Sequence, residues 1–378
     1  MAEKRKKSGS GILIAVFVLI GVVCGFAISY VFDLSFLRTL EPVERFLSYA
    51  LILLLMWLGY MVQVLLHESG HLIGGLASGY RFSSYRIGKW MLIRIDGKLT
   101  FRRFSLAGTG GQCLMLPVRP HSVALFHLGG AIFNLLFGGA FLALWLLLDA
   151  VIWFEIFFAA CAVFGLFFAI LNGVPFRTSL IANDGSNLVA MKKNPHAAEQ
   201  FDLHLRMNAM SVDGVRLRDM PADWFAFPTE EQLKNNAYAE TAVFACNRLL
   251  DEQRFTEAAE KIEFLLAADT AMAGVHRKLL ICDLIYCEAV GARRREVFVR
   301  WMDREQMNFI RSMKEFPSVI RTEYAYTRLL QNEPIRANTI KKRFEKSILT
   351  YPNRGDILTE QSLIRHADSI EAKSENEE

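Results

Sequence analysis

Long runs of apolar residues occupy the first part of this 378-residue chain, whereas the remainder alternates apolar and polar positions. A helix of about 20 apolar residues is long enough to cross the hydrocarbon layer of a membrane. The runs that contain no charged residue cover 8–32, 46–66, 128–148 and 156–176. The pattern therefore predicts about four transmembrane helices, the last two joined by a short link.

The first of these runs has an alternative interpretation. The basic stretch 4–7 precedes it, as in a secretory signal peptide. The run is longer than a typical signal-peptide core, and no clear small-residue cleavage site precedes Asp33. We therefore interpret 8–32 as an uncleaved span.

Lysine and arginine residues are concentrated on one side of the predicted spans. The stretch 78–119 contains eight of them against one acidic residue, whereas 33–45 contains two and 149–155 none. Because such residues stay on the cytoplasmic side of a membrane, we expect a multi-pass protein of the cell membrane with both termini in the cytoplasm. The net charge is only +4, so we expect no nucleic-acid partner.

Between the second and third spans the pattern becomes typical of strands. Two β-prone runs flank Asp96-Gly97, a dipeptide typical of two-residue turns, and predict a small β-hairpin near 84–104. The glycine-rich piece 108–113 is expected to form a flexible loop, since its spacing does not match a phosphate-binding site.

Residues 191–366 are predicted to form an all-helical domain. The stretch 240–269 contains two helical patterns around a polar turn and resembles a tetratricopeptide unit. Later patterns predict helices over 275–290, 293–315, 318–331 and 335–348. No catalytic group of residues is visible in this domain, so we expect it to bind protein partners. The polar stretch 367–378 predicts a disordered tail.

The residues that interrupt the apolar pattern are the candidates for chemistry. The second run leads into His67-Glu68-Ser69-Gly70-His71, which places two histidines on one helix face, where both can bind one Zn²⁺ ion. Glu68 can then act as a general base toward a water molecule that the metal activates. The alternative is a pair of histidines at a helix end without a metal. Three ionisable groups beside an apolar run are costly to keep unused, which favours the metal site.

The two histidines leave a catalytic zinc ion short of a protein ligand. Asp96, His121, His127 and Asp184 are the candidates for the third position. Asp96 is expected in a turn, and the two histidines flank the start of the third span. Asp184 follows the fourth span after a helix break at Pro175. Irregular backbone at membrane depth is tolerated where it lines protein or a cavity, so Asp184 is the best-placed third ligand.

Three separated pieces of the region 46–190 resemble the site-2 protease family of intramembrane zinc metalloproteases. The first is HESGH at 67–71, the second is GGAIFN at 129–134, and the third is NGVP at 172–175 followed by NDG at 183–185. The order and spacing of the pieces are similar to those of the family as well.

The resemblance implies that Asp184 completes the zinc site and that Glu68 is the base. It also implies that Asn134 and Asn172 hold the substrate backbone or the oxyanion. For Asn134 the alternative is a polar residue that packs helices together among glycines. Alanine and glycine stand at two positions where the family usually has proline, which affects substrate positioning but removes no zinc ligand.

The sequence thus predicts an intramembrane zinc metalloendopeptidase that cleaves a transmembrane or membrane-associated substrate peptide near the cytoplasmic face. The expected fold is mainly α, a polytopic membrane helical bundle over 1–190 with a small β-hairpin near the active site, followed by the cytoplasmic helical domain. The hairpin either captures substrate as an added strand or lies on the lipid bilayer. The alternative function is a non-catalytic membrane scaffold that recruits protein partners. A transporter is a third possibility, which the absence of an internal repeat disfavours.

Overall fold

A computed structural model of the chain describes residues 34–104, 110–118, 121–175 and 183–371. These residues are mostly helical and contain thirteen α-helices together with a four-stranded sheet. The predicted first span and the end of the predicted tail lie outside the described residues.

Three of the described helices are long and apolar enough to cross a membrane. They are α1 (Pro42–Ala77), α2 (Val123–Leu147) and α3 (Ile152–Gly173), and they contain all of the second apolar run and most of the third and fourth. The run 46–66 underestimates α1, which continues to Ala77 because its later residues pack against α2. The HExxH stretch therefore lies inside the helix and not at its end.

Glycines allow these helices to approach one another at backbone distance. A Cβ atom added to Gly70 of α1 would lie 2.2 Å from the carbonyl oxygen of Gly129 in α2. A Cβ atom on Gly165 of α3 would lie 2.6 Å from the Cα atom of Gly138 in α2. Close approach through small residues is typical of helices that pack without a hydrophobic driving force.

The sheet is antiparallel where β2 pairs with its two neighbours, and its strand order is β3-β2-β1-β4. Its strands are β1 (Tyr80–Ile87), β2 (Trp90–Ile95), β3 (Lys98–Arg103) and β4 (Gly111–Pro117). The predicted hairpin is present as β2 and β3, but it is only half of this sheet. The expectation of a flexible loop over 108–113 is wrong for its end, because β4 begins at Gly111.

The turn between β2 and β3 has the backbone conformation that the Asp96-Gly97 dipeptide predicts. Ile95 pairs with Lys98, so two residues connect the strands. Asp96 and Gly97 have φ angles of 48° and 78°, as a type I′ turn requires at both central positions.

The second half of the chain continues with ten helices and three short 3-10 helices. The α-helices are α4 (Asp184–Lys193), α5 (Pro195–Val212), α6 (Asn236–Asp251), α7 (Phe255–Ala267), α8 (Gly274–Val290), α9 (Arg295–Trp301), α10 (Arg304–Ser312), α11 (Pro317–Leu329), α12 (Pro334–Ser347) and α13 (Arg354–Ser369). The 3-10 helices are Leu217–Asp219, Ala222–Phe225 and Gln232–Lys234, and another, Leu34–Thr39, precedes α1.

Two predicted boundaries in this half are wrong. The helix expected over 293–315 is divided into α9 and α10, because Asp303 caps a new helix by accepting a hydrogen bond from the backbone N–H of Gln306 at 2.8 Å. The tail expected over 367–378 is wrong for its start, because Ala367 is fully buried and α13 continues to Ser369.

The chain divides into two compact units, one of 1–80 with 119–189 and one of 81–118 with 190–378. The strands that the sequence analysis placed with the membrane domain thus pack with the C-terminal helices. Asp96 in the β2–β3 turn forms an ion pair of 2.6 Å with Arg354 of α13. The ring of Phe104 also meets that of Tyr351 edge to face at 5.5 Å. We refer to the two as the membrane unit and the helical unit.

Candidate metal centre

His67, His71 and Asp184 meet within the membrane unit. The Nε2 atoms of the two histidines are 3.1 Å apart, and Oδ2 of Asp184 lies 3.4 Å from the first and 3.3 Å from the second. Among the described residues, this is the one group of three or more His, Cys, Asp or Glu side chains close enough to share a metal ion.

The three distances match the requirement of a small tetrahedral metal ion. Zinc binds nitrogen and oxygen ligands at about 2.0–2.1 Å, so its tetrahedral ligand atoms lie about 3.3–3.4 Å apart. Two histidines and one carboxylate also leave a fourth position free, as in catalytic sites. The residues present therefore fit a zinc ion.

The other ring nitrogen of each histidine is held by a buried partner. His71 Nδ1 lies 2.7 Å from the carbonyl oxygen of Phe126, which can only accept, so this nitrogen carries a proton. His67 Nδ1 lies 2.7 Å from Oδ1 of Asn134. The amide nitrogen of Asn134 donates to the carbonyl and side-chain oxygens of Gln63 at 2.8 and 2.9 Å, which leaves Oδ1 as the acceptor. A neutral ring held in this way directs an unprotonated Nε2 atom toward Asp184.

Three acceptor atoms at such distances require positive charge between them. Burial raises the pKa of the Asp184 carboxyl, but the charge of His71 and hydrogen bonds from three histidines outweigh burial and hold this pKa well below its usual range. The carboxylate is therefore ionised at neutral pH. A metal ion held by the two Nε2 atoms and this carboxylate would balance its charge.

Glu68 lies beside this group. Its side chain is buried, with 7% exposed, on the same helical turn as the two histidines. It is close enough to His71 for an electrostatic interaction. It does not belong to the three-ligand group, which suits a base rather than a ligand.

The helix break after α3 places Asp184. Asn183 donates to the carbonyl oxygens of Leu171 and Val174, both at 2.6 Å, and so joins α4 to the end of α3. The side-chain oxygen of Asn183 also accepts from the backbone N–H of Ser186 at 2.9 Å, which caps α4. Asp184 is the first residue of this capped helix.

Two glycines provide the room that this arrangement needs. A Cβ atom on Gly130 would lie 2.5 Å from Cε1 of His67 and 2.7 Å from Nε2 of His71. A Cβ atom on Gly185 would lie 2.4 Å from the carbonyl oxygen of Gly173. Any larger residue would displace the rings in the first case and α4 in the second.

The other candidate ligands have different surroundings. His127 is 4% exposed, and its Nδ1 atom lies 3.8 Å from Oδ1 of Asp184, the oxygen that faces away from the other histidines. His121 meets the ring of Tyr80 edge to face at 4.5 Å. Asp96 lies in the β-turn of the helical unit.

The two asparagines expected to bind substrate make intramolecular contacts. Asn134 is fully buried and orients His67, which matches neither interpretation completely. Asn172 is half-buried and donates to the carbonyl oxygen of Phe168 at 3.1 Å, within its own helix. A substrate role for either residue stays a prediction.

Sequence reasoning missed several residues of this site. Gln63 lies in an apolar run and is fully buried, and its Nε2 atom donates to the carbonyl oxygen of Cys161 at 2.8 Å. A polar side chain one turn before His67 was the available signal. Gly130 belongs to the GGAIFN piece, but its contact with the histidines could not be predicted, because it depends on which helix faces them.

Comparison of the chain with protein families, characterised proteins and solved structures finds no match.

Proposed function

We propose that the protein is an intramembrane zinc metalloendopeptidase. The observation that carries the proposal is the convergence of two histidine Nε2 atoms and one carboxylate oxygen, at 3.1–3.4 Å from one another, beside the buried Glu68. Among the described residues, no other group of three or more His, Cys, Asp or Glu side chains is close enough to share a metal ion. The HExxH stretch, Asn134 and the NDG stretch of this chain together resemble the pattern of the site-2 protease family, which supports the same reaction.

His67, His71 and Asp184 would hold the ion, and zinc supplies Lewis acidity to the hydrolysis when it is bound. Glu68 takes a proton from the attacking water and delivers it to the amide nitrogen as the peptide bond breaks. Asn134 and Gln63 hold the His67 ring in place during this reaction. Asn172, near the end of α3, would contact the substrate backbone.

The proposed setting is a multi-pass arrangement in the cell membrane. Helices α1 to α3 and the segment 8–32 would form four spans, with both termini in the cytoplasm according to the distribution of positive charge. Asp184 follows α3, so the metal would lie toward the cytoplasmic face. The substrate would be a membrane-embedded protein or peptide, and the helical unit would recruit protein partners.

The test compares the wild type with Glu68→Gln, both purified in detergent, in cleavage of candidate single-span peptides. Glu155→Gln is a matched control, because Glu155 lies in the first turn of α3, the end opposite the site. We expect cleavage by the wild type and the control and a loss of at least roughly a hundredfold in Glu68→Gln, since general-base catalysis contributes about 10²–10⁴-fold.

Two outcomes would contradict the proposal. Cleavage that persists in Glu68→Gln removes the proposed base. If the wild type binds zinc yet cleaves none of the peptides while the helical unit captures partners from a membrane extract, the non-catalytic scaffold becomes the better explanation.

A further inference from the structure

The helical unit contains a second site-like feature, a cavity of about 340 Å³. Residues of α5, α6, α8, α11 and α13 form its walls. Its volume is at the lower end of the range for small-molecule pockets, about 300–1,000 Å³. The proposed protease activity makes no use of it.

The walls of the cavity are rich in carboxylates. Glu240, Asp283, Asp356 and Glu360 line it, whereas Arg321 and His276 are the basic residues among the described lining residues. Buried charges normally occur in balanced pairs, because an unpaired charge is costly to remove from water. Glu240 pairs with His204 at 3.5 Å, whereas Asp283 and Glu360 share the single guanidinium of Arg321. This shared cation favours a positively charged ligand beside the two carboxylates.

Arg321 gives an independent indication of a ligand. Its side chain is 1% exposed, its Nη2 donates to Asp283 at 2.5 Å, and its Nε lies 3.0 Å from Glu360. Its Nη1 atom is buried and makes no hydrogen bond within the described structure. Buried donors without an acceptor are rare in folded proteins. A carboxylate or carbonyl oxygen of a ligand would satisfy this atom.

The pKa values of the cavity carboxyls are consistent with missing positive charge. Burial raises the pKa of Glu360 to about 7, against the charge of Arg321, and Asp283 and Asp356 add to the rise. Burial likewise raises the pKa of Asp283 and of Asp356. The charged and titratable groups around Glu360 include Arg321 of α11, Asp283 and Tyr286 of α8, Asp251 of α6, and Tyr351 and Asp356 near the start of α13. Glu240 of α6 and His276 of α8 line the same cavity.

We propose that this cavity binds a basic amino acid, either free or as a residue of a peptide. Its ammonium or guanidinium group would lie among the carboxylates, and its carboxylate or carbonyl oxygen would accept from Nη1 of Arg321. Side-chain amides that line the cavity, those of Asn208, Asn247 and Asn353, can bond to the ligand's backbone.

Isothermal titration calorimetry on the full-length protein in detergent tests this site. L-lysine is compared with L-norleucine, which lacks the terminal ammonium group, and with cadaverine, which lacks the carboxylate. We expect both to bind at least about tenfold more weakly than lysine, because each loses a charge-assisted hydrogen bond. A blocked Gly-Lys-Gly peptide distinguishes the two sources: tighter binding than free lysine assigns a peptide, and weaker binding assigns the free amino acid.

Glu360→Gln keeps the shape of the side chain and is expected to weaken lysine binding at least about tenfold. Glu257→Gln is the matched control, since this exposed glutamate pairs with Arg254 outside the cavity and should leave binding unchanged.

Affinity for the wild type should also fall between about pH 8 and pH 6, as Glu360 becomes protonated. The proposal is overturned if lysine gives no saturable heat at millimolar concentrations, or if norleucine binds equally well. The comparison of lysine with norleucine uses the wild type alone, so it tests the proposal even if Glu360→Gln does not fold.

Discussion

The rings of His67 and His71 have little freedom to rotate. The carbonyl oxygen of Phe126 holds Nδ1 of His71, and Asn134 holds Nδ1 of His67. Asn134 in turn is held by Gln63. Such contacts behind a metal ligand fix its tautomer and orientation, and they commonly contribute 10–100-fold to metal affinity.

Replacement of Asn134 should therefore weaken zinc binding without loss of a ligand. We expect Asn134→Ala to lower zinc affinity about 10–100-fold, and Asn134→Asp to restore part of it, because its carboxylate can still accept from His67. Asn172→Ala is the control, since within the described residues Asn172 donates to the carbonyl oxygen of Phe168 in its own helix. Equal zinc affinities for Asn134→Ala and the wild type in a chelator-competition titration would show that the contact has no orienting role.

Gly130 offers a steric test at the same scale. A methyl group in Gly130→Ala would lie 2.5–2.7 Å from atoms of both imidazole rings, so we expect the purified variant to lose stoichiometric zinc. Gly139→Ala is the matched control on the same helix, because its added Cβ atom meets no atom within 4 Å. Zinc retained in full by Gly130→Ala would mean that the rings are placed differently.

The first turn of α4 is the element that brings Asp184, the third proposed ligand, to the histidines. Asn183 both caps this helix and bonds to two carbonyl groups at the end of α3. The position of Asp184 thus depends on one side chain that spans a helix break. Gly185 permits the close approach of the two segments.

Asn183→Ala should lose zinc affinity in addition to helix stability. Loss of a helix cap costs about 1 kcal/mol, and Asn194→Ala in α5 removes a comparable cap, since Asn194 accepts from the backbone N–H of Ala197. We expect both variants to melt at lower temperature, but only Asn183→Ala to bind zinc at least about tenfold more weakly. A similar zinc affinity in the two variants would show that Asn183 does not position Asp184.

The local elements of the site were predictable, but their mutual contacts were not. The HExxH spacing places two histidines on one helix face regardless of tertiary structure, and Asp-Gly encodes its turn through positive φ angles. The partners of Asn134 depend on which faces of α1 and α2 meet, which no local pattern specifies. Likewise, α10 begins at Arg304 because Asp303 forms a cap inside a continuous helical pattern.

The whole molecule consists of two units with separate interiors. Membership of the β-sheet in the helical unit could not be predicted, because the ion pair of Asp96 with Arg354 joins residues 258 positions apart. Burial in the helical unit centres on α6 to α8 and α11 to α13, and none of the proposed zinc ligands lies there. Metal removal should therefore affect one unit only.

Thermal unfolding in detergent should show two transitions, of which chelation lowers one. A ligand present at about 100 times its dissociation constant stabilises the folded state by about 2.7 kcal/mol, and zinc would give this stabilisation to the membrane unit alone. Calorimetry with and without a chelator checks this, and Asp184→Ala, which should not respond to the chelator, is the control. A uniform decrease of both transitions would contradict the separation of the units.

The zinc content of the purified chain after competition with a weak chelator tests the proposed metal centre most directly. We expect about one zinc ion per chain in the wild type and in Glu68→Gln, and almost none in His67→Ala, His71→Ala and Asp184→Ala. Zinc that remains at the wild-type level in Asp184→Ala would contradict the proposed ligand set. A wild-type chain that binds no zinc at all would contradict the metal centre itself.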